Sequence, residues 1–175
     1  MGKIFKQTPV KLVLGMLSTG EDIFRRAEKL FSEEFGPLDF ESPIITFVWT
    51  DYYREEMGES LLRKFVSFGR LVEPERLPSI KIFSNSIESR LGCQDGRRKI
   101  NLDPGYITEA KLVLASTKDH QHRIYLGDGI FAEVTLRFVR GKYQPWEWTY
   151  PDYRSEEYAP IFLQIRNIYR QQLKK

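Results

Sequence analysis

Between Arg97 and Thr135 the chain gathers both of its histidines and its densest run of convergent polar side chains. His122 stands three residues after Asp119 and directly before Arg123. An unperturbed imidazole titrates near pH ~6.5, and a neighbouring carboxylate can tune it for proton transfer, so His122 and Asp119 form a general acid–base candidate. The structural alternative is a histidine at a strand start, hydrogen-bonded to a loop carbonyl. His120, in mid-loop, reads as solvent-exposed. Arg97, Lys118 and Arg123 make a cationic set for phosphate or carboxylate, and the planar guanidinium fork suits bidentate anions. Against this, Arg123 opposite Glu133 is a cross-strand ion pair, worth only a fraction of a kcal/mol if exposed.

Asn101, Asp103 and Glu133 offer oxygen ligands of the kind Mg2+ takes, but their spacing matches no dedicated metal motif, so no metal is expected. Asp103, before Pro104 and Gly105, reads as a turn-former bonded to its own backbone. Ser116 and Thr117 precede His122, yet no G-x-S-x-G elbow occurs to present a nucleophile. Arg140 to Arg154 is an aromatic arm with Trp146, Trp148, Tyr150 and Tyr153. Its rings could stack bases or cover a ligand; the alternative is packing against the core. The expected ligand site therefore comprises Arg97, Asn101, Asp103, Lys118, Arg123, Glu133, Tyr150 and Asp152. It lies between the sheet around 101–133 and the arm around 149–152.

The elements that must hold these residues are legible in part. Val10 to Leu17 reads as a buried strand. Thr19 with Asp22 resembles a capping box, and Ile23, Phe24, Ala27, Leu30, Phe31 and Phe35 follow at helical spacing until Gly36-Pro37 stops the helix. Ser42 to Trp49 is a second strand, followed by a polar aromatic loop or short turn over residues 50–58. Leu61 to Val72 fits a helix or a strand, and Ser67, Gly69 and the β-branched residues favour the strand. Pro74 to Leu91 is helical, with Leu77, Ile80, Ser84, Ile87 and Leu91 in one stripe. Arg97 to Leu102 returns as a strand, and Asp103-Pro104-Gly105 is a turn. The order β-α-β-β-α-β is that of a ferredoxin-like unit, so the expected class is α+β.

An antiparallel hairpin over about 122–139 extends this framework. A two-residue Asp128-Gly129 turn would oppose Ile124 to Glu133. A three-residue loop with Gly129 in the left-handed region instead opposes Arg123 to Glu133 and Tyr125 to Phe131, keeping one face apolar. A one-residue slip exchanges the faces, so register is strongly specified, and the three-residue loop is the expected one. The arm is expected to be irregular, since Pro145 and Pro151 disfavour a long element. A closing helix begins near Pro160, with Phe162, Ile165, Ile168, Tyr169 and Leu173 facing inward.

Composition bounds the rest. At 175 residues the chain fits one domain, 1–175, large enough to bury a core without staples. Its 41% hydrophobic and 14% aromatic content excludes disorder, and no apolar run reaches membrane-spanning length. One cysteine leaves no internal disulfide or cysteine-based zinc cluster, and the cytoplasm is the expected compartment. A formal charge of +3 permits an anionic ligand without demanding nucleic acid.

Several pieces together carry a resemblance over nearly the whole chain: Phe35-Gly36-Pro37, Tyr52-Tyr53-x-x-Glu56-Met57-Gly58, Asn101 to Tyr106, Leu114 to Asp119, His122 to Tyr125, Glu133 to Leu136 and Thr149 to Tyr153. They resemble the bacterial family known as domain of unknown function 4416. The resemblance implies no established activity, and no Walker A loop, G-x-x-x-x-G-K-[ST], occurs. The expectation drawn from the residues is an α+β protein binding a small anionic ligand, a nucleotide or another phosphorylated compound. From a different class stands an RNA-binding module using the sheet face and the aromatic arm, although no RNP1-like pattern is present. A partner-binding subunit without catalysis is the third reading.

Overall fold

The computed structural model describes residues 2–49, 57–58, 60–94 and 97–174; of the side chains at 93, 94 and 97 nothing is described. The loop expected over 50–58 therefore lies almost wholly outside the described residues. Lys11–Ser18 forms β1, buried at all eight positions. Its alternation sends Leu12, Leu14 and Met16 to one face and Val13 to the other, so each face meets a separate core. Helix α1 (Glu21–Phe35) follows. Its N-cap is Gly20 in extended geometry with no side-chain cap bond, so Thr19 does not build the expected box. Gly36, at φ 88°, ends the helix in the left-handed region as the Gly-Pro signal implies.

Of the strand expected over 42–49 only the two-residue β3 (Ile45–Thr46) forms, and a separate short piece, β2 (Leu38–Glu41), ends before it. Pro43 lacks the N–H that a continuous ladder would need, and the Ser42 hydroxyl donates to the Pro43 carbonyl at 2.7 Å. Both pieces pair with β4 (Leu62–Phe68), which resolves the ambiguous segment as a strand. A 3-10 turn at Pro74–Arg76 leads into α2 (Leu77–Gly92). A two-stranded ribbon, β5 (Cys93–Gln94) with β6 (Arg97–Arg98), connects α2 to β7 (Ile100–Ile107). The turn expected at Asp103-Pro104-Gly105 is thus interior to a strand. Pro104 is tolerated because β7 is paired with β1 there, while its ladder with β8 (Lys111–Ser116) starts only at Gly105 opposite Leu114.

The hairpin strands are β9 (Ile124–Gly127) and β10 (Ile130–Val139). Tyr125 opposes Phe131 and Ile124 opposes Ala132 as the expected register requires. The loop itself is shorter: Gly127 pairs with Ile130 across Asp128 and Gly129, both at positive φ, and a bulge restores the register. Part of the arm is regular, since β11 (Lys142–Pro145) pairs with β10 before a 3-10 turn at Asp152–Arg154. The chain closes with α3 (Tyr158–Gln172).

All main-sheet pairings are antiparallel, in the order β11-β10-β8-β7-β1-β4-β2, with β3 beside β4 and β9 beside β10. Phe24, Phe31 and Phe35 of α1 and Ile80 and Ile87 of α2 cover one face. Phe162 and Ile165 of α3 cover the other, against Val13, Phe65 and Leu112. Among the described residues the fold is α+β: a nine-stranded antiparallel sheet carrying three helices.

Candidate functional site

The site begins where β7 and β8 part. Beyond the Gly105–Leu114 pair the next β7 residue is Pro104, which has no N–H to continue the ladder. The backbone of Leu102, two residues further, is satisfied by α2: Glu88 accepts from its N–H at 2.6 Å, and Lys81 Nζ donates to its carbonyl at 2.8 Å. Two charged helix side chains thus stand in for the missing strand. Between the diverging strands, α2 and the arm lies a cavity of about 460 Å3.

One wall centres on Arg63 of β4, whose side chain is 3% exposed. Its Nη1 donates to Asp103 at 3.2 Å and its Nη2 to Asp152 at 3.0 Å. Reaching Asp103 means crossing β1, and it crosses at Gly15, the residue paired with both Asp103 and Phe65. A Cβ on Gly15 would meet the Tyr153 hydroxyl at 3.1 Å and Arg63 Nη1 at 3.5 Å. Asn101 donates to Asp103 at 2.8 Å and accepts from Arg98 at 3.1 Å, and Arg98 reaches Glu88 at 3.4 Å. Burial pushes the Asp152 carboxyl up, against the pull of Arg63 and with a further push from Asp103. Burial likewise raises Glu88, opposed by Lys81.

The opposite wall centres on Glu133 of β10, 3% exposed. It accepts from Arg123 Nε at 2.9 Å, lies 3.0 Å from His122 Nε2, and accepts from Thr135 at 3.2 Å. Arg123 Nη1 donates to the Ser116 hydroxyl and the Lys118 carbonyl, each at 2.9 Å, and Nη2 to the Tyr150 hydroxyl at 3.3 Å. Arg123 and Glu133 do form the ion pair expected of the hairpin. It is buried, however, and so stands outside the weak surface class.

Of the expected ligand-site residues, Asn101, Asp103, Lys118, Arg123, Glu133, Tyr150 and Asp152 all line this one cavity. The Arg97 side chain lies outside the described residues. His122 touches Glu133 but not the cavity wall, and Asp119 is exposed beyond it, so the carboxylate partner of the imidazole is Glu133. The oxygens proposed for Mg2+ are engaged otherwise: both Glu133 oxygens and the Asn101 amide sit in the networks above. Among the described residues no group of three or more metal-ligating side chains forms.

Arg63, Lys81, Asn85, Glu88 and Arg98 line the cavity without having been read from the sequence. Two signals were present. Lys81, Ser84, Asn85 and Glu88 form a polar stripe at i, i+3, i+4, i+7 on a helix otherwise read for its apolar stripe. Arg63 occupies the same strand phase as Phe65, placing a charge on an inward face.

No helix among the described residues is long and apolar enough to cross a membrane. No curated protein and no solved structure matches the chain. Residues 8–169 match the family described as Domain of unknown function (DUF4416), and with nearly its whole length covered the chain belongs to that family.

Proposed function

We propose that this protein binds a small phosphorylated ligand in the cavity between β7, β8 and the arm. The observation that carries the reading is the convergence of five cationic side chains, Arg63, Lys81, Arg98, Lys118 and Arg123, on one concave space of about 460 Å3, a volume typical of small-molecule sites. Four carboxylates, Glu88, Asp103, Glu133 and Asp152, share the wall and leave one positive charge in excess. Arg63 and Arg123 are held by carboxylates and shape the walls. Lys118 stands with Thr117 on the exposed loop that follows Ser116 at the end of β8, a cation and two hydroxyls suited to phosphate oxygens.

The framework reads as ferredoxin-like at its centre. With the short β3 and the β5–β6 ribbon set aside, β1, α1, β2, β4, α2 and β7 follow as β-α-β-β-α-β, and the antiparallel order β7-β1-β4-β2 supports that reading. We further take the chain as one domain and, on its single cysteine, as cytoplasmic. No proton-transfer role goes to His122 or Asp119, which stand off the cavity wall. RNA binding through the arm draws less support, because Trp146 and Trp148 stack on each other with ring centroids 5.1 Å apart.

The test is thermal unfolding of the full chain with phosphorylated compounds, divalent cations and short RNA. A ligand at a hundred times its Kd stabilises by about 2.7 kcal/mol, roughly 5–10 °C for a chain of this size. The expected result is such a shift with a phosphorylated compound, lost in Lys118→Ala. A shift with RNA alone, or one unchanged in Lys118→Ala, overturns the assignment.

A further inference from the structure

The aromatic residues near the cavity fall into two sets. Trp146 and Trp148 form a closed column: they stack at 5.1 Å and 9°, Trp148 stacks on His122 at 5.3 Å and 13°, and Arg137 covers Trp146 at 4.3 Å. Those ring faces are occupied by the chain itself. Trp49 and Tyr150 differ. Both line the cavity, and they are 39% and 47% exposed. Neither stacks on another ring among the described residues. Phe47 lies deeper in the same wall and is buried, with the Arg63 guanidinium 5.1 Å over its ring. Tyr150 is anchored by its hydroxyl to Arg123, which fixes the ring while leaving it half open.

Indole and phenol rings left open at a concave mouth offer a face that a second flat ring covers better than water does. We infer that the ligand carries a planar aromatic ring that rests on Trp49 and Tyr150 while its phosphate meets Ser116, Thr117 and Lys118. Its class is then a mononucleotide and not a sugar phosphate. This deepens the anion-binding reading and rests on it. Hydrogen-bond donors on the ring or its sugar face the carboxylate wall of Asp103 and Asp152, where Asp103 uses only Oδ2 toward Arg63 and Asn101.

The experiment is calorimetric titration of the full chain with the four common ribonucleoside 5′-monophosphates, ribose 5-phosphate and the four unphosphorylated nucleosides. Tryptophan fluorescence is followed alongside. At least one nucleoside monophosphate is expected to bind about fivefold or more tighter than ribose 5-phosphate, the low end of base–aromatic stacking. Trp49→Ala and Tyr150→Ala should bring that ratio towards one, while Trp49→Phe, which keeps a ring, retains most of it. Quenching on binding should vanish in Trp49→Phe, since the other two tryptophans lie in the closed column. Equal binding of ribose 5-phosphate overturns the ring inference and leaves the phosphate site standing. A nucleoside that binds as tightly as its monophosphate keeps the ring site and overturns the phosphate site. Binding of none of these compounds overturns both.

Discussion

Every nitrogen of the Arg123 guanidinium has a partner: Nε on Glu133, Nη1 on Ser116 and the Lys118 carbonyl, Nη2 on Tyr150. One side chain thereby ties β8, the loop after it, β10 and the arm together, and its role is to build the wall rather than to seize an anion. Glu133 is 3% exposed, so removing Arg123 would leave a buried carboxylate with only His122 and Thr135 to offset its charge. Breaking a buried pair by deleting one partner costs about 3–5 kcal/mol. Arg123→Ala is accordingly expected to lose that much in urea unfolding at neutral pH. Arg123→Lys should recover only a fraction, because an ammonium cannot hold several partners in the fixed fork. A loss below about 1 kcal/mol for Arg123→Ala would place the pair with exposed salt bridges and contradict the burial argument.

At the scale of elements the deciding feature is the parting of β7 from β8. Their last shared rung is Gly105 with Leu114, and there the strands approach too closely for a side chain: a Cβ on Gly105 would stand 2.3 Å from the Val113 carbonyl oxygen. Backbone cannot yield as a side chain can, so Gly105→Ala must shift the ladder itself. Gly15 is tight in a different way, with the Tyr153 hydroxyl at 3.1 Å and the Phe65 ring at 3.2 Å. Those are side chains with some freedom to move. Overpacking costs about 1–3 kcal/mol, and Gly105→Ala is expected at or above the top of that range, Gly15→Ala nearer the bottom. Equilibrium denaturation of the two variants side by side decides it, and equal costs would contradict the backbone argument. The same region shows what sequence could and could not reveal. Alternation in the hairpin placed the pairs Tyr125–Phe131 and Ile124–Ala132, while β1 was legible as an apolar run and β4 from Ser67, Gly69 and its β-branched residues. Asp103-Pro104-Gly105 misled, since turn composition and a strand that sheds one neighbour call for the same residues: proline where an N–H has no acceptor, glycine where backbones touch. The convergence of Asn101, Asp103, Lys118, Arg123, Glu133, Tyr150 and Asp152 was legible, as the sequence set these types between the sheet around 101–133 and the arm around 149–152. Lys81, Glu88 and Arg63 were not, because their function depends on which helix and strand faces meet across the sheet, a long-range fact that local periodicity does not encode.

For the whole molecule, the sheet separates two cores of unlike chemistry. The face under α1 and α2 is built on phenylalanine and aliphatic side chains, whereas the face under α3 also buries Tyr143, Tyr153 and Tyr158. The hydroxyls of these three make no hydrogen bond among the described residues. Burial pushes each pKa up: Tyr153 well above its ordinary value, Tyr143 upwards against a lowering by Arg166, and Tyr158 to about 12 with Arg63 opposing. A raised folded-state pKa means that the folded chain holds the phenolic proton more tightly than the unfolded chain. The stabilisation is complete below the ordinary tyrosine value of about 10 and is lost as pH rises through the folded values. Stability should therefore fall steeply between about pH 10 and 12, with the α3 face failing as a unit because three phenols share it. In an alkaline titration followed by phenolate absorbance and circular dichroism together, ionisation of the buried tyrosines should coincide with loss of helical signal. Replacing Tyr158 by phenylalanine, which deletes a hydroxyl with no hydrogen-bond partner, should move that transition to higher pH. If all nine tyrosines of the chain ionise while the helical signal is unchanged, the packing assigned to the α3 face is wrong.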